Sequence, residues 1–173
     1  MPLRFRMLTP RMLVQFIRPN DWFITIDLKD AYFHVPIHHR HRRYLRFAFG
    51  GIAYQFNALP FGLALAPRVF TKCVEAAIAP LRLRGLRVYN YLDDWLIAAH
   101  SEAAAVQDGH LVVAHLYRLG FVINREKSVL CPKQITHFLG MVLDSTSMEV
   151  RLSQERINAI RTCVRQFRLG RVA

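Results

Sequence analysis

Two adjacent carboxylates, Asp93 and Asp94, sit in the middle of an apolar, aromatic-rich run, Tyr89-Asn90-Tyr91-Leu92-Asp93-Asp94-Trp95-Leu96-Ile97. The flanking residues have the composition of β-strands, so the pair reads as the tip of a tight hairpin. Asp is a cheap turn former, and a solvated loop is the plain alternative. Two features weigh against it. Two-residue hairpin turns favour Gly or Asn at positions of positive φ, and the tip offers neither. Neighbouring like charges also repel unless a cation stands between them and other carboxylates. A further carboxylate, Asp27, ends a β-forming run far upstream, Trp22-Phe23-Ile24-Thr25-Ile26-Asp27. In a split β-α-β sheet two such elements become neighbours, which predicts one acidic pocket built from Asp27, Asp93 and Asp94. Such a pocket in a basic protein calls for counter-charge. Two Mg²⁺ ions roughly 3.5–4 Å apart would supply it, and that pair is the apparatus of phosphoryl transfer. One ion would lower the pKa of an attacking 3′-hydroxyl, and the other would steady a departing pyrophosphate.

The elements that must hold this pocket come from a chain of 173 residues, enough for one domain with a proper core or one lobe of something larger. With 53% hydrophobic and 12% aromatic residues, its composition is not that of a disordered chain. Lys and Arg outnumber Asp and Glu by 24 to 12, a net charge of +12 that exceeds what solubility requires. The excess suits a polyanion, nucleic acid first and an acidic membrane surface second. No apolar run approaches the ~20 residues that span a bilayer. Cys73, Cys131 and Cys163 are odd in number, far apart and outside CxxC spacing. They predict reduced, partly buried thiols in an intracellular protein, cytoplasmic or nuclear. The Arg-rich, acid-free start is a poor mitochondrial presequence, because Pro2, Pro10 and Pro19 interrupt it and Ser is absent.

Thr9-Pro10 predicts a helix start, with Met12, Leu13, Phe16 and Ile17 on one face and Pro19 ending it. After the strand to Asp27 the chain turns through Leu28-Lys29-Asp30-Ala31-Tyr32. The next stretch is strongly basic, with Arg40, Arg42, Arg43 and Arg46 among His34, His38, His39 and His41. These histidines lack the partners that complete a metal site, and contacts to phosphate suit them better. Tyr44 to Phe49 and Ile52 to Phe56, joined by Gly50-Gly51, predict a β-hairpin. Leu59-Pro60-Phe61-Gly62-Leu63 predicts a loop whose Gly permits close backbone approach. Ala66-Pro67 opens a helix of about twelve residues expected to stop at Pro80, with Val69, Cys73, Ala76 and Ala77 inward. Ser101 caps a long helix to Gly120, with Val106, His110, Val113, Leu116 and Tyr117 as its buried stripe. Phe121 to Ile123 and His137 to Asp144 read as further strands. Ser153 to Leu169 reads as a final amphipathic helix, with Ile157, Ile160, Val164 and Phe167 inward and Gly170 past its end. No linker or repeat divides the chain. The order describes an α+β fold, antiparallel strands on one side and helices on the other.

Five of these segments carry a resemblance. The run Thr25-Ile26-Asp27-Leu28-Lys29-Asp30-Ala31-Tyr32, the loop Leu59-Pro60-Phe61-Gly62-Leu63 with Ala66-Pro67, and Tyr91-Leu92-Asp93-Asp94 resemble motifs A, B and C of reverse transcriptases. Leu119-Gly120-Phe121 with Lys127 resembles motif D, and Phe138-Leu139-Gly140 resembles motif E, the primer grip. The wording IDLKDAYFHVPI and YLDDWLI is most similar to LTR-type retroelements, within them to the DIRS and gypsy-like groups.

The resemblance implies a polymerase palm, a ferredoxin-like split β-α-β sheet with helices on one face, plus part of the fingers. Residues 1–19 would be a helical remnant leading into the palm, 20–145 the reverse transcriptase domain, and 146–173 a C-terminal helix at the start of a thumb or connection. It implies RNA-directed DNA synthesis by two-metal nucleotidyl transfer, with two Mg²⁺ ions (Mn²⁺ as substitute), dNTPs, an RNA template and a DNA primer, or an RNA–DNA hybrid. Asp27, Asp93 and Asp94 match the catalytic carboxylates, Asp27 and Asp93 binding both metals and Asp94 supporting. Leu28 would offer its carbonyl to one metal. Tyr32, after Ala31 at the nucleotide site, matches the steric gate that clashes with a ribose 2′-hydroxyl; a core tyrosine is the alternative. Phe61 and Gly62 match the loop that packs on the incoming nucleotide and template base, or form a structural turn. Lys127 matches the lysine that protonates pyrophosphate, or is a solvated lysine in a charged loop. Arg42, Arg43 and Arg46 fit a basic fingers surface, and Tyr91, Phe138, Leu139 and Gly140 a further surface for nucleic acid.

The departures from the family pattern carry their own expectations. Family members grip the triphosphate with Lys and Arg from a fingers segment before motif A, and continue into a thumb and usually an RNase H domain. About twenty residues precede motif A here and the sequence stops at Ala173, so a palm cut from a longer polyprotein is expected, its missing fingers, thumb and RNase H portions among its partners. Losing one such electrostatic contact typically costs about 3 kcal/mol of transition-state stabilisation, which predicts little processive synthesis by the chain alone. Three alternatives stand beside the polymerase. One is a truncated, inactive remnant that binds nucleic acid. Another is an RNA-copying polymerase of the same architecture, against which Tyr32 argues. The third is ribonuclease H activity through the parent polyprotein, for which a second set of four clustered carboxylates is lacking.

Overall fold

The computed structural model describes residues 9–168. In chain order its elements are α1 (Pro10–Phe16), β1 (Trp22–Asp27), the hairpin β2 (Arg46–Phe49) and β3 (Ile52–Gln55), and α2 (Ala66–Leu83). There follow the hairpin β4 (Arg87–Tyr91) and β5 (Asp94–Ala99), α3 (Glu102–Arg118), β6 (Val129–Lys133), β7 (Ile135–Phe138), β8 (Met141–Asp144), β9 (Glu149–Leu152) and α4 (Gln154–Arg168). The central sheet runs β4-β5-β1-β6 and every neighbouring pair is antiparallel. β1, α2 and β4 form one split β-α-β unit with β5 lying between the two strands. β5, α3 and β6 form a second, with β1 between. This is the ferredoxin-like connection implied above.

Period-two alternation gives the sheet two apolar faces. Ile24 and Ile26 of β1, Val88 of β4, and Trp95, Ile97 and Ala99 of β5 join α2 and α3 in the larger core. Phe23, Tyr89, Leu96 and Ala98 point the other way, into a smaller core with Leu13 and Ile17 from α1 and with Phe138 and Leu143. Thr9 caps α1, and the Tyr89 hydroxyl donates to the Thr9 carbonyl oxygen at 3.0 Å, tying that helix to the sheet. An ion pair between the half-buried Arg87 and the buried Asp21 fastens the start of β1, and Arg87 also donates to the Phe16 carbonyl oxygen at 3.2 Å.

Several expectations shift. α2 does not stop at Pro80 but continues to Leu83. The hydrogen bond that Pro80 cannot donate is offset by burying Ile78 and Leu81 on either side of it. Its inner face is Ala66, Phe70, Val74, Ile78 and Leu81, while Val69 and Cys73 are exposed. α3 turns Ala105, Gly109, Val112 and Leu116 inward, leaving Val106, His110 and Tyr117 exposed. Met12 on α1 is exposed, and all three cysteines are exposed rather than partly buried. The segment Phe121–Ile123 contributes one isolated bridge, Leu28 to Ile123, in place of a strand. His137 to Asp144 is two strands, β7 and β8, with a tight turn at Leu139-Gly140, and β6 and β9 had no sequence signal. On α4 the residues Ile160, Val164 and Phe167 are exposed rather than inward. Leu169 and Gly170 lie outside the described residues. The hairpin β2–β3 forms as expected and is exposed along its length. Among the described residues no helix is long and apolar enough to cross a membrane.

Candidate active site

β1 and β5 pair so that Asp27 stands directly across from Asp94, and Tyr91 of β4 faces Asp94 from the other side. The turn that joins β4 to β5 is Leu92-Asp93, one residue earlier than expected, and Asp94 is already in the strand. Leu92 takes the left-handed backbone, φ 52°, which Gly or Asn would adopt with less strain. The Leu28 N–H donates to the Asp93 carbonyl oxygen at 2.9 Å, pinning the turn over the end of β1. The fold therefore gathers all three carboxylates at one edge of the central sheet. Like charges directly across a ladder destabilise it, so stability alone does not account for this arrangement.

The electrostatics record the crowding. Burial lifts the Asp94 carboxyl to about 6, and Asp93 and Asp27 push the same way while Lys127 pulls back. Burial also raises Asp27; Lys127 lowers it, Asp93 raises it, and a hydrogen bond with the Asn124 side chain lowers it. Two residues without a sequence signal support Asp27. The Ser128 hydroxyl accepts from the Asp27 N–H at 3.0 Å and donates to the Asn124 carbonyl oxygen at 2.6 Å. Only their position flanking Lys127 could have drawn attention to them. Among the described residues no three His, Cys, Asp or Glu side chains already form a cage for one ion. The cluster is an open edge.

Tyr32 follows Ala31 in a 3-10 turn, Ala31–His34, and its ring packs against Phe61 and Phe70 at centroid distances of 4.8 and 5.4 Å. Burial, then Asp93 and Tyr91, raise its hydroxyl pKa, which brings Tyr32 into the carboxylate neighbourhood. Phe61 is 61% exposed, so one side of its ring is open beside Tyr32. Gly62 has φ 82°, and no described atom lies within 4 Å of where its Cβ would stand. Backbone conformation, not close approach within the chain, is what this glycine serves.

A cleft of about 650 Å³ is lined by Asp27, Asp94, Lys127, His137, the turn Phe138-Leu139-Gly140, and Ser153 to Glu155 at the start of α4. Phe138 itself is buried against Tyr89, so that turn presents Leu139 and Gly140 to the cleft. Arg42, Arg43 and Arg46 are not part of this group. They lie on the 3-10 helix His39–Tyr44 and on β2, in a separate sheet. There Arg42 donates to the Ile37 carbonyl oxygen at 3.0 Å and Arg43 lies over the Tyr44 ring.

Residues 4–143 match the family described as reverse transcriptase (RNA-dependent DNA polymerase). The chain is 28% identical over 144 residues to the Gag-Pol polyprotein of walleye dermal sarcoma virus, covering 82% of the chain and 8% of that protein. It is 28% identical over 150 residues to Protein P of a duck hepatitis B virus, covering 85% of the chain and 18% of that protein. The chain thus spans less than a fifth of either relative. Its fold matches the foamy viral protease-reverse transcriptase solved in complex with RNA/DNA hybrid, with a TM-score of 0.73 at 22% identity, over 84% of this chain and 19% of that one.

Proposed function

Because the chain belongs to the reverse transcriptase (RNA-dependent DNA polymerase) family, we propose that it performs template-directed DNA synthesis from RNA, or DNA, by two-metal nucleotidyl transfer as part of a polyprotein. The observation that carries this reading is the ladder pairing of Asp27 with Asp94 beneath the Asp93 turn. The donor set fits a pair of hard divalent cations: three carboxylates on an open edge, two of them with pKa values raised by burial first and then by neighbouring carboxylates, a repulsion that cations would relieve. Asp27 and Asp93 would hold both ions, with the Leu28 carbonyl on one and Asp94 in support. When bound, Mg²⁺ or Mn²⁺ would acidify the primer 3′-hydroxyl and neutralise charge on the departing pyrophosphate.

The chain's own residues would supply the rest. The primer 3′-hydroxyl would lose its proton to solvent, its oxygen would attack the α-phosphorus, the bond to pyrophosphate would break, and Lys127 would protonate the leaving group. Tyr32, braced by Phe61 and Phe70, would close the sugar pocket against a 2′-hydroxyl, with Phe61 and Gly62 facing nucleotide and template. The Leu139-Gly140 turn borders the same cleft as the carboxylates and would seat the primer end. Arg42 and Arg43 on the 3-10 helix and Arg46 on β2 would hold template phosphates electrostatically. The wording of the Asp27 and Asp93 segments supports a parent among DIRS or gypsy-like retroelements, acting inside the cell.

The test is primer extension on an RNA template with dNTPs and Mg²⁺ or Mn²⁺, with Asp93→Asn alongside. Extension by the wild type that Asp93→Asn abolishes is the expected result. Extension that survives Asp93→Asn removes that residue from the chemistry. Salt-dependent binding of nucleic acid with no metal-dependent extension would favour the non-catalytic alternative.

A further inference from the structure

His34 is half-buried, and its ring nitrogens face backbone groups rather than standing free for the phosphate contacts expected of the basic stretch. It closes the 3-10 turn that carries Tyr32, and its ring makes two hydrogen bonds of opposite sense. Nδ1 lies 3.0 Å from the Ala31 carbonyl oxygen, which can only accept, so Nδ1 carries the proton and donates. Nε2 lies 2.9 Å from the Val122 amide nitrogen, which can only donate, so Nε2 is bare and accepts. The two partners together select the neutral Nδ1–H tautomer. The ring also packs against Phe121, with centroids 5.2 Å apart.

Val122 is held a second time, because the Lys29 N–H donates to its carbonyl oxygen at 2.8 Å. Two residues on, the Asn124 N–H donates to the Asp27 carbonyl oxygen at 2.9 Å. The strip 121–124 is thus laced to the strip 27–34 by backbone bonds and by the Asp27–Asn124 side-chain bond, and His34 adds a further side-chain link at the far end. One strip bears Asp27 and Tyr32. The other leads into Lys127.

We infer that His34 is a positioning residue for nucleotide selection, locking the turn that carries Tyr32 to the segment that carries Lys127. The inference rests on the polymerase reading above. A wall excludes a 2′-hydroxyl only as well as it resists being pushed aside. Phe61 and Phe70 brace the Tyr32 ring, but the end of its turn is tied down by His34. Removing both ring hydrogen bonds loosens that end, which then keeps the bond from the Leu59 N–H to the Val35 carbonyl oxygen and the Pro36–Ala58 bridge, while leaving the carboxylate ladder intact.

The experiment compares the full chain as wild type, His34→Phe and His34→Gln, with Tyr32→Val as a reference. His34→Phe keeps a ring against Phe121 and loses both hydrogen bonds; His34→Gln keeps an acceptor for Val122. Primer extension with a dNTP and its matching rNTP gives a ratio of kcat/KM values that does not depend on how much enzyme is active. The ratio should fall by about 3- to 10-fold in His34→Phe, a factor suited to one or two neutral hydrogen bonds, mostly through KM. His34→Gln should recover most of it, and Tyr32→Val should lose more. Amide hydrogen exchange run in parallel should quicken in residues 29–35 and 121–124 of His34→Phe while β1 and β5 stay protected. An unchanged ratio, or equal losses with both nucleotides alongside a lower melting temperature, would overturn the inference. A form of the wild type extended at both ends that still cannot extend a primer defeats the polymerase reading by itself. Even then, unchanged exchange in His34→Phe would refute the lacing, and quickening confined to the two strips would support it.

Discussion

Replacing Asp94 by Asn should make the metal-free protein more stable. The Asp94 carboxyl has its pKa raised from 3.8 to about 6, first by burial and then by Asp93 and Asp27. A group whose folded pKa is raised binds its proton more tightly when folded, so ionising it works against the fold. The penalty is absent below about pH 4, builds as pH rises through the window between the unfolded and folded values, and is complete above about pH 6. A shift of that size is worth about 3 kcal/mol at most. Asp94 is only partly buried, so solvent screening reduces the figure to on the order of 1–2 kcal/mol. Asparagine has nearly the same shape and never ionises. Urea denaturation with a chelator present should therefore find Asp94→Asn more stable than the wild type by about 1–2 kcal/mol near pH 8 and equal to it near pH 4. Adding millimolar Mg²⁺ should stabilise the wild type more than the variant, because an ion that binds only the folded state adds RT ln(1 + [L]/Kd). If Asp94→Asn is no more stable near pH 8, or its advantage does not change with pH, burial and the neighbouring carboxylates do not disfavour the ionised Asp94.

Two further outcomes test the frame around the site. Asp144, at the β8–β9 turn, accepts from the Thr146 hydroxyl at 2.6 Å and from the amides of Thr146 and Ser147, and its pKa falls to about 2, chiefly through the Thr146 hydroxyl. Its folded pKa is depressed, so its stabilisation is full above about pH 4 and lost as pH falls through about 2. Melting curves should show Asp144→Asn below the wild type at neutral pH, with the gap closing across that acid window; a gap that persists at pH 2 contradicts the assignment. Gly109→Ala on α3 should destabilise by about 1 kcal/mol despite the better helix propensity of Ala, since overpacking a core typically costs about 1–3. The new Cβ would stand 2.5 Å from Ile24 Cδ1 beneath the helix. A chemical denaturation midpoint at or above that of the wild type would show that Ile24 moves aside freely.

Residue type and strand period made the site legible. Asp27 and the Asp93-Asp94 pair each sit where a β-forming run ends, and antiparallel pairing then leaves little choice about which side chains meet. The helix faces were harder to read, because apolar size was a poor guide to contact. On α3 the large residues Val106 and Tyr117 point outward, and the inner face is built around Ala105 and Gly109, where the helix comes down close on Ile24. At Pro80 a strong local stop signal was outweighed by burial on both sides, since one missing hydrogen bond counts for less than two core positions. On α4 the amphipathic period was real, yet Ile160, Val164 and Phe167 remain exposed, so the pattern located a helix without locating what it packs on. The short strands β6 and β9 were harder to see: β6 contains Pro132, and β9 is an exposed ribbon of four residues, too short for its alternation to stand out.

Where local rules fail together is itself informative. A two-residue turn closes on Leu92 with φ 52°, a conformation costing a leucine of order 1–3 kcal/mol. One residue beyond that turn, Asp94 stands across the ladder from Asp27, a like-charge pairing that weakens the sheet. Leu92 packs against the larger core, which offsets part of its strain, while a neutral residue at 94 would remove the like-charge pairing. Elsewhere the sheet obeys the rules closely: Ile24 pairs with Ile97, Ile26 with Trp95, and Val88 with Ile97, all buried. Left-handed backbone at a non-glycine residue also occurs in other turns, at Asn20, Asp30, Leu139 and Met148, but the like-charge pairing falls where Asp27, Asp93 and Asp94 converge. A like-charge pairing kept at that point is what a site shows when its geometry is set by what must bind there, and the rest of the fold carries the load.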